Sequence, residues 1–464
     1  MIEYIHELIN GKKVLILGFG REGKSTLPFL IKASGAGLIA IADARPINAE
    51  LPDGVITITG EDYLICLNDF DVVFKSPGIV LDREIDEYTC NIVSQMEVFF
   101  GCYRDRIIGI TGTKGKSTTT TLLYHVLKSA GADVMLAGNI GIPVFEIADM
   151  MKDTTTAVLE LSCHQLEYMD VSAHHAVYLN LHEEHLDHYG TMAKYTAAKE
   201  NIYKNQHSGD ELYCLDTLAP AAGKCSAHIN TFGRKNFSDR NAVDFYLDGT
   251  DICYKKEDGT FVTYKIPADE IKLIGEHNYF DIAFVYAVSK NFGVTDEVFS
   301  QALKTYEPLP HRLQFIGVQD KIKWYDDSIS TIDETTIQAL NTLSDADTVI
   351  IGGMDRGISY RELEEYLAVS PVKNIILMEA SGKRMFEEIK SMGNAFGRTD
   401  RLYLAEHLED AVEIARKLTG EGRSCVMSPA AASYGIFKNF EDRGEAFCRL
   451  VYGTAVNENS GAEE

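Results

Sequence analysis

Residues 106–131 read RIIGITGTKGKSTTTTLLYHVLKSAG: an apolar strand, a glycine-rich turn, then a helix ending near Gly131. A helix entered through such a turn is a cradle for phosphate. Backbone N–H groups from Gly112 to Lys116 point into the turn, the helix N-terminus adds the positive end of its dipole, and Lys116 can reach terminal phosphates. Gly112, Thr113, Lys114, Gly115, Lys116, Ser117 and Thr118 are therefore candidate phosphate-binding residues, with the Ser117 hydroxyl placed to ligate Mg²⁺. The usual P-loop pattern wants a glycine where this chain has Ile110, so the motif fails as a string while its physical arrangement is kept. No D-x-x-G switch or N-K-x-D base reader follows in context, which argues against a motor or GTPase.

Upstream, residues 12–23 read KKVLILGFGREG, a strand running into Gly18-Phe19-Gly20-Arg21-Glu22-Gly23, with a helix pattern from Lys24 to Ala33. This is a G-x-G-x-x-G turn in a strand-turn-helix setting. A second strand, LIAIAD, ends at Asp43, where an acidic side chain can take ribose hydroxyls. A third, DVVFKSPG, ends in Ser76-Pro77-Gly78 at the carboxyl edge of the same sheet, where ligands of such folds sit. These residues read as a nucleotide site, with NAD the usual partner of the turn and a purely structural helix-packing turn the alternative. Downstream of a helical stretch over 278–306, a third segment starts near Pro308. Its runs KIKWYDDSIS, TVIIGGMDRG, NIILMEASG and SCVMSPAAASYG predict another open, mainly parallel sheet.

The whole chain fits this plan of three α/β domains. At 464 residues it exceeds what one core serves, and 45% hydrophobic with 24% charged residues is the composition of an ordinary globular protein. A net charge of −25 excludes a broad nucleic-acid surface. The start, MIEYIHELINGKK, has no signal-peptide pattern, and no apolar run approaches a membrane span, so a cytoplasmic protein is expected. Nine cysteines without a C-x-x-C pair read as reduced thiols, and the acidic NENSGAEE tail is expected to fray.

GITGTKGKST resembles the short phosphate loop of the Mur ligase family, and further family motifs follow in order. These are AGNIG (137–141), LELSCHQLE (159–167), NLHEEHLDHY (180–189), AAKENIY (197–203), GEHN (275–278) and LPHRLQ (309–314). The dinucleotide-type first turn and SPAAASYGIFKNFEDRG are similar to the glutamate-adding branch. The resemblance implies a Rossmann-like UDP-sugar domain over 1–98, a central P-loop-type ATPase domain over 99–307 and a Rossmann-like glutamate domain over 308–464. It implies a monomeric enzyme that ligates D-glutamate to UDP-N-acetylmuramoyl-L-alanine through an acyl phosphate, using ATP and Mg²⁺, for peptidoglycan precursors. L-glutamate addition, a folylpolyglutamate-synthase-like ligase and an NAD-dependent dehydrogenase are the alternatives.

By the same resemblance Gly20, Arg21, Glu22, Asp43, Arg45, Ser76, Pro77 and Gly78 hold UDP instead of NAD, and Asn139, Ser162 and Gln165 line the substrate region. Glu160, closing the apolar run TTTAVLEL, is a Mg²⁺ ligand at the sheet's carboxyl edge, a reading its position supports independently. His185 ligates a second Mg²⁺. An H-E-x-x-H zinc site fails at Leu186, which leaves His182 and His188 as polar loop residues and His174 and His175 as structural. Lys199 is the lysine that becomes a carbamate, exchanging a cation for an anionic metal ligand. Asn278 lies in the adenine-binding helix, where Asp281 replaces a usual Asn. After a proline at the domain joint, His311 precedes Arg312, which reaches for phosphate, and Asp327 contacts ribose. Thr331, Arg356, Ser433, Tyr434 and Phe440 receive glutamate, with Ile329 standing where a lysine is usual.

Overall fold

Each apolar run that precedes a glycine-rich turn is a strand whose carboxyl end meets that turn. The computed structural model describes residues 1–233, 243–256, 258–393, 396–397 and 399–453. The expected fraying of the NENSGAEE tail lies outside them. The chain divides into two compact units, Met1–Tyr306 and Glu307–Glu464.

The first unit holds two sheets. Strands β1 (Lys13–Leu17), β2 (Leu38–Asp43), β3 (Val55–Thr59), β4 (Val72–Lys75) and β5 (Asn91–Val93) pair in parallel in the order β3-β2-β1-β4-β5. The order reverses between β1 and β4, so a crevice opens at their carboxyl ends, where Gly18 and Ser76 lie. The helix after β1 spans Arg21–Ala33, starting ahead of the Lys24 expected from periodicity, because its polar first turn carries no apolar signal. The second sheet is larger. Its strands are β6 (Ile107–Thr111), β7 (Val134–Gly138), β8 (Thr156–Glu160), β9 (His175–Tyr178), β10 (Glu211–Leu215), β11 (His228–Gly233), β12 (Phe245–Asp248), β13 (Asp251–Lys255) and β14 (Phe261–Lys265). They run in the order β14-β13-β12-β11-β10-β9-β6-β8-β7, parallel except for the hairpin pairings of β13 with β12 and β14.

Helices Lys116–Ser129 and Glu276–Asn291 share one apolar core, with Leu122, Leu123 and Val126 buried together with Ile282 and Val285. The helical stretch read as 278–306 is two helices, Glu276–Asn291 and Asp296–Thr305. Gly293, at φ 73°, takes the left-handed turn that ends the first, and the Thr295 hydroxyl caps the second. In the second unit β15 (Gln314–Gln319), β16 (Ile322–Asp326), β17 (Ala346–Gly352), β18 (Asn374–Met378), β19 (Leu402–Ala405) and β20 (Ser424–Met427) pair as β15-β16-β20-β17-β18-β19. All but β15 run parallel. Trp324, Ile350, Ile376 and Phe447 fill the core beneath them. Among the described residues no helix is long and apolar enough to cross a membrane.

Candidate functional site

The phosphate cradle is built at the carboxyl end of β6. Gly115 sits at φ 81°, a backbone that side chains resist, and begins the helix Lys116–Ser129 with no side-chain cap, so the first N–H groups stay available to an anion. Asn180 holds the loop from outside: its Oδ1 accepts from the N–H of Thr113 (3.0 Å) and Lys114 (2.8 Å), and its Nδ2 donates to Lys114 O. The Lys114 ammonium pairs with Glu184 at 2.9 Å. Two further lysines turn inward. Lys116 Nζ donates to Gly112 O (3.1 Å) and Thr113 O (2.9 Å), while Lys199 Nζ, buried over the Tyr195 ring, donates to the same Gly112 O at 2.7 Å. Burial holds both amines below the ordinary lysine range, and with the neighbouring Lys116 charge it brings Lys199 to about 7. Asp281, the substitution noted in the adenine helix, packs its carboxylate against Gly115, at the phosphate loop.

Glu160 ends β8 beside this loop. One carboxylate oxygen accepts from Asn139 Nδ2 at 2.7 Å; the other, Oε2, is buried with no hydrogen-bond partner. A buried anionic oxygen without a donor fits a cation, and it lies close enough for Lys116 to feel its charge. Among the described residues no group of three His, Cys, Asp or Glu side chains gathers as a metal site, so a divalent ion here also needs hydroxyl and phosphate oxygens. Ser117 supplies such a hydroxyl. His185 is held at φ 57°, a strained conformation for histidine, with its ring edge-on to His164 at 5.0 Å. His188 is not the loop residue expected: it lies in the short helix Leu186–Tyr189, largely buried, with Nε2 at 3.1 Å from both Glu167 oxygens. His174 bonds Asp210, and burial lowers His175 to about 4, in keeping with structural parts for both.

At the first sheet the turn is packed against itself. A Cβ on Gly23 would overlap Gly18 O, so the third glycine is needed for close helix-strand approach. Asp43 accepts from Phe19 N at 2.8 Å and Arg45 N at 2.9 Å, which ties the carboxylate expected at ribose to the turn's own backbone. Arg45 itself is exposed. Ser76 Oγ donates to Gly18 O at 3.0 Å, bringing the Ser76-Pro77-Gly78 loop onto the turn. Gln165 Nε2 donates to Glu22 at 2.9 Å, and the Ser162 side chain caps the short helix Cys163–Leu166 that carries Gln165. Arg21 lies near Gly141.

Two residues here escaped the sequence reading. Asn180 stands at the head of the polar run NLHEEHLDHY, and Lys75 ends an otherwise apolar strand. Lys75 is buried over the Tyr168 ring at 5.2 Å and held at about 8 by burial. It lines a small crevice together with Pro77, His164 and Gln165.

In the second unit, Arg312 stands between His311 (φ 62°) and Leu313 (φ 43°), both left-handed, and its buried Nε has no partner. Asp327 is buried and turned inward: Leu313 N (2.9 Å), Ser330 Oγ (2.6 Å) and Ser428 Oγ (2.6 Å) all donate to it. Through Leu313 N it anchors the loop that carries Arg312. Arg356 Nη2 donates to Thr331 O at 2.8 Å, which joins two of the expected glutamate residues. Ser433 is buried, Tyr434 is 62% exposed, and Phe440 begins the last helix, with its carbonyl accepting from Ser328 Oγ. Ile329 is half-buried, with its N–H donated to His311 O.

Residues 110–289 match the family model described as the Mur ligase middle domain. A UDP-N-acetylmuramoylalanine–D-glutamate ligase of Acetivibrio thermocellus is 32% identical over 459 residues, covering 96% of this chain and 97% of that protein. The enzyme of the same name from Leuconostoc citreum is 31% identical over 453 residues, covering 94% and 96%. Among solved structures, the MurF ligase of Thermotoga maritima in complex with ADP gives a TM-score of 0.58 at 16% identity, covering 97% of each chain, a likeness of fold.

Proposed function

Because this chain belongs to the Mur ligase family, we propose that it joins D-glutamate to UDP-N-acetylmuramoyl-L-alanine, with ATP first converting the alanyl carboxylate to an acyl phosphate. In this reading residues 1–98 hold the UDP-sugar, 99–307 bind ATP and 308–464 take the amino acid. The enzyme acts as a cytoplasmic monomer on peptidoglycan precursors.

The observation that carries the reading is the convergence of Lys116 and Lys199 on the single carbonyl of Gly112, next to a carboxylate with an unpartnered oxygen. Forming an amide from a carboxylate is uphill in water, so the enzyme's main task is charge control during phosphoryl transfer. Lys116 exchanges the carbonyls of Gly112 and Thr113 for phosphate oxygens, since an ammonium prefers an anion to a neutral acceptor. Lys199, held near neutrality, has the free amine that carbon dioxide requires. The nitrogen lone pair bonds the carbon, the amine proton leaves, and the carbamate replaces a second cation with an anion. Mg²⁺, when bound, supplies positive charge to the phosphates; Ser117 and Glu160 would hold one ion and His185 a second, with the carbamate beside them.

The amine of glutamate then attacks the acyl carbon and phosphate leaves. Arg356 pairs with the amino acid's side-chain carboxylate, with Thr331, Ser433, Tyr434 and Phe440 around it, and Arg312 offers phosphate a buried, unpartnered donor. Glu22, Asp43 and Ser76 to Gly78 shape the sugar-nucleotide turn, where Arg21 and Arg45 supply the positive charge. A dehydrogenase would leave the second cradle without a purpose. The test is phosphate release that needs ATP, UDP-N-acetylmuramoyl-L-alanine and glutamate together; release without the sugar nucleotide would reject the proposal. Competing D- and L-glutamate, with the product separated chirally, should give the D product, and a dominant L product would overturn that assignment.

A further inference from the structure

The loop that carries Arg356 runs from Gly353 to Tyr360, between β17 and the helix Arg361–Val369, and is pinned at several points. Gly353 exchanges hydrogen bonds with Ser381, its N–H to Ser381 Oγ at 2.9 Å and its carbonyl to Ser381 N at 3.0 Å. Met354 N donates to Ala432 O at 2.8 Å. Beyond Met354 the fastening passes to one side chain. Arg384, on the helix Glu379–Met392, forks onto Asp355, Nε to Oδ2 at 2.7 Å and Nη2 to Oδ1 at 3.0 Å, and the same Nη2 donates to Ile358 O at 2.7 Å. Its Nη1 is held by Glu388 at 2.8 Å, and its guanidinium lies over the Tyr360 ring at 5.1 Å. Asp355 in turn accepts from Gly357 N at 2.9 Å. Arg384 therefore grips the chain on both sides of Arg356.

A bidentate guanidinium-carboxylate pair fixes direction as well as distance, which a lone ammonium cannot do. Arg356 itself reaches back to the carbonyl of Thr331, on the separate segment after β16, so its placement depends on how the loop is held.

We propose that Arg384 is a positioning residue for amino-acid recognition, fixing the Asp355–Ile358 segment so that the Arg356 guanidinium meets the side-chain carboxylate of the incoming glutamate. The proposal rests on the reading that Arg356 binds that carboxylate. Arg384 touches no substrate. It acts through the loop.

Steady-state kinetics of Arg384→Gln, Arg384→Lys, Asp355→Asn and Arg356→Ala test this, with each of the three substrates varied in turn. Arg384→Gln should raise KM for glutamate about tenfold, the loss of roughly one oriented charged hydrogen bond. KM for ATP and for the sugar nucleotide should stay within twofold, and melting should be little changed. Arg384→Lys should recover only part of the loss. Arg384→Gln combined with Asp355→Asn should be no worse than either alone, since both break one link. If Arg384→Gln leaves the glutamate KM unchanged while Arg356→Ala raises it, the positioning proposal falls and the Arg356 reading stands. If Arg356→Ala leaves it unchanged, both fall. Equal shifts in all three KM values with a lowered Tm would reduce Arg384 to a general stabilising ion pair and overturn the proposal.

Discussion

The turns after β1 and β6 are one backbone device set among different side chains. Each follows an apolar parallel strand, and each begins a helix at a glycine, Gly20 or Gly115, with no side-chain cap, so both present free N–H groups at a sheet edge. Around the first turn the bonded side chains are acids: Asp43 accepts from Phe19 N, and Glu22 is held by Gln165. Around the second two amines, Lys116 and Lys199, join Asn180 on the loop. Backbone shape provides a place for a nucleotide's oxygens. In the proposed function the side chains then decide whether a turn holds phosphate or also drives its transfer.

Removing a cation from the second turn should break this contrast most severely. Lys116→Ala is expected to lower ligation by about 10²–10³-fold, the usual loss when a transition-state charge partner is deleted. Circular dichroism should show the fold unchanged, and near-normal phosphate release in that variant would mean the two turns do not differ in function. Lys199→Ala comes next, with a loss of about 10–100-fold, as for other groups supporting a metal site. Formate or acetate should restore part of that activity by standing in for the carbamate. Full activity without either would exclude the modification.

At the first turn the effects move from catalysis to stability. Gly23→Ala drives a Cβ into the Gly18 carbonyl and should cost about 1–3 kcal/mol. Calorimetry would register this as a lower Tm with weaker sugar-nucleotide binding, whereas ATP binding should persist. The smallest effect expected is from Glu22→Gln. Burial holds the Glu22 acid above the ordinary carboxylate range, so the folded state favours its proton. That contribution is complete below the unfolded value of about 4.3 and is lost as pH rises through the folded value. The variant, which can still accept from Gln165, should therefore melt with wild type near pH 4 and above it at pH 8. Coincident melting at both pH values would show that the buried acid carries no cost.

Both strand-turn-helix units were legible because apolar runs and glycines are local signals, and Glu160 was legible because it closes such a run. What the sequence could not show are contacts between distant segments. Asn180 bonds a loop lying 66 and 67 positions away, and Lys199 finds Gly112 O across 87. Asp43 ends β2 and Asp327 directly follows β16, and both accept from backbone or hydroxyl donors, contacts that spacing does not encode. The hairpin β12–β14 was not read at all, because its strands are short and mix Tyr with Asp and Lys. Arg384 escaped for the same reason as Asn180: its partner Asp355 lies 29 positions away.

One apolar core runs from Ile5, Val14 and Leu30 under the first sheet through Phe99 and Phe145 to Leu159, Tyr178 and Leu212 under the second. Two sheets that share an interior melt together, because opening either one wets the side chains of both. In hydrogen exchange the amides of β1 and β8 should therefore report a common opening free energy. Residues 1–98 cut away from the rest would expose to water the apolar side chains they contribute to that interior. Sugar-nucleotide binding at the first turn should accordingly slow amide exchange in β8, the strand that carries Glu160, as a gain in cooperative stability.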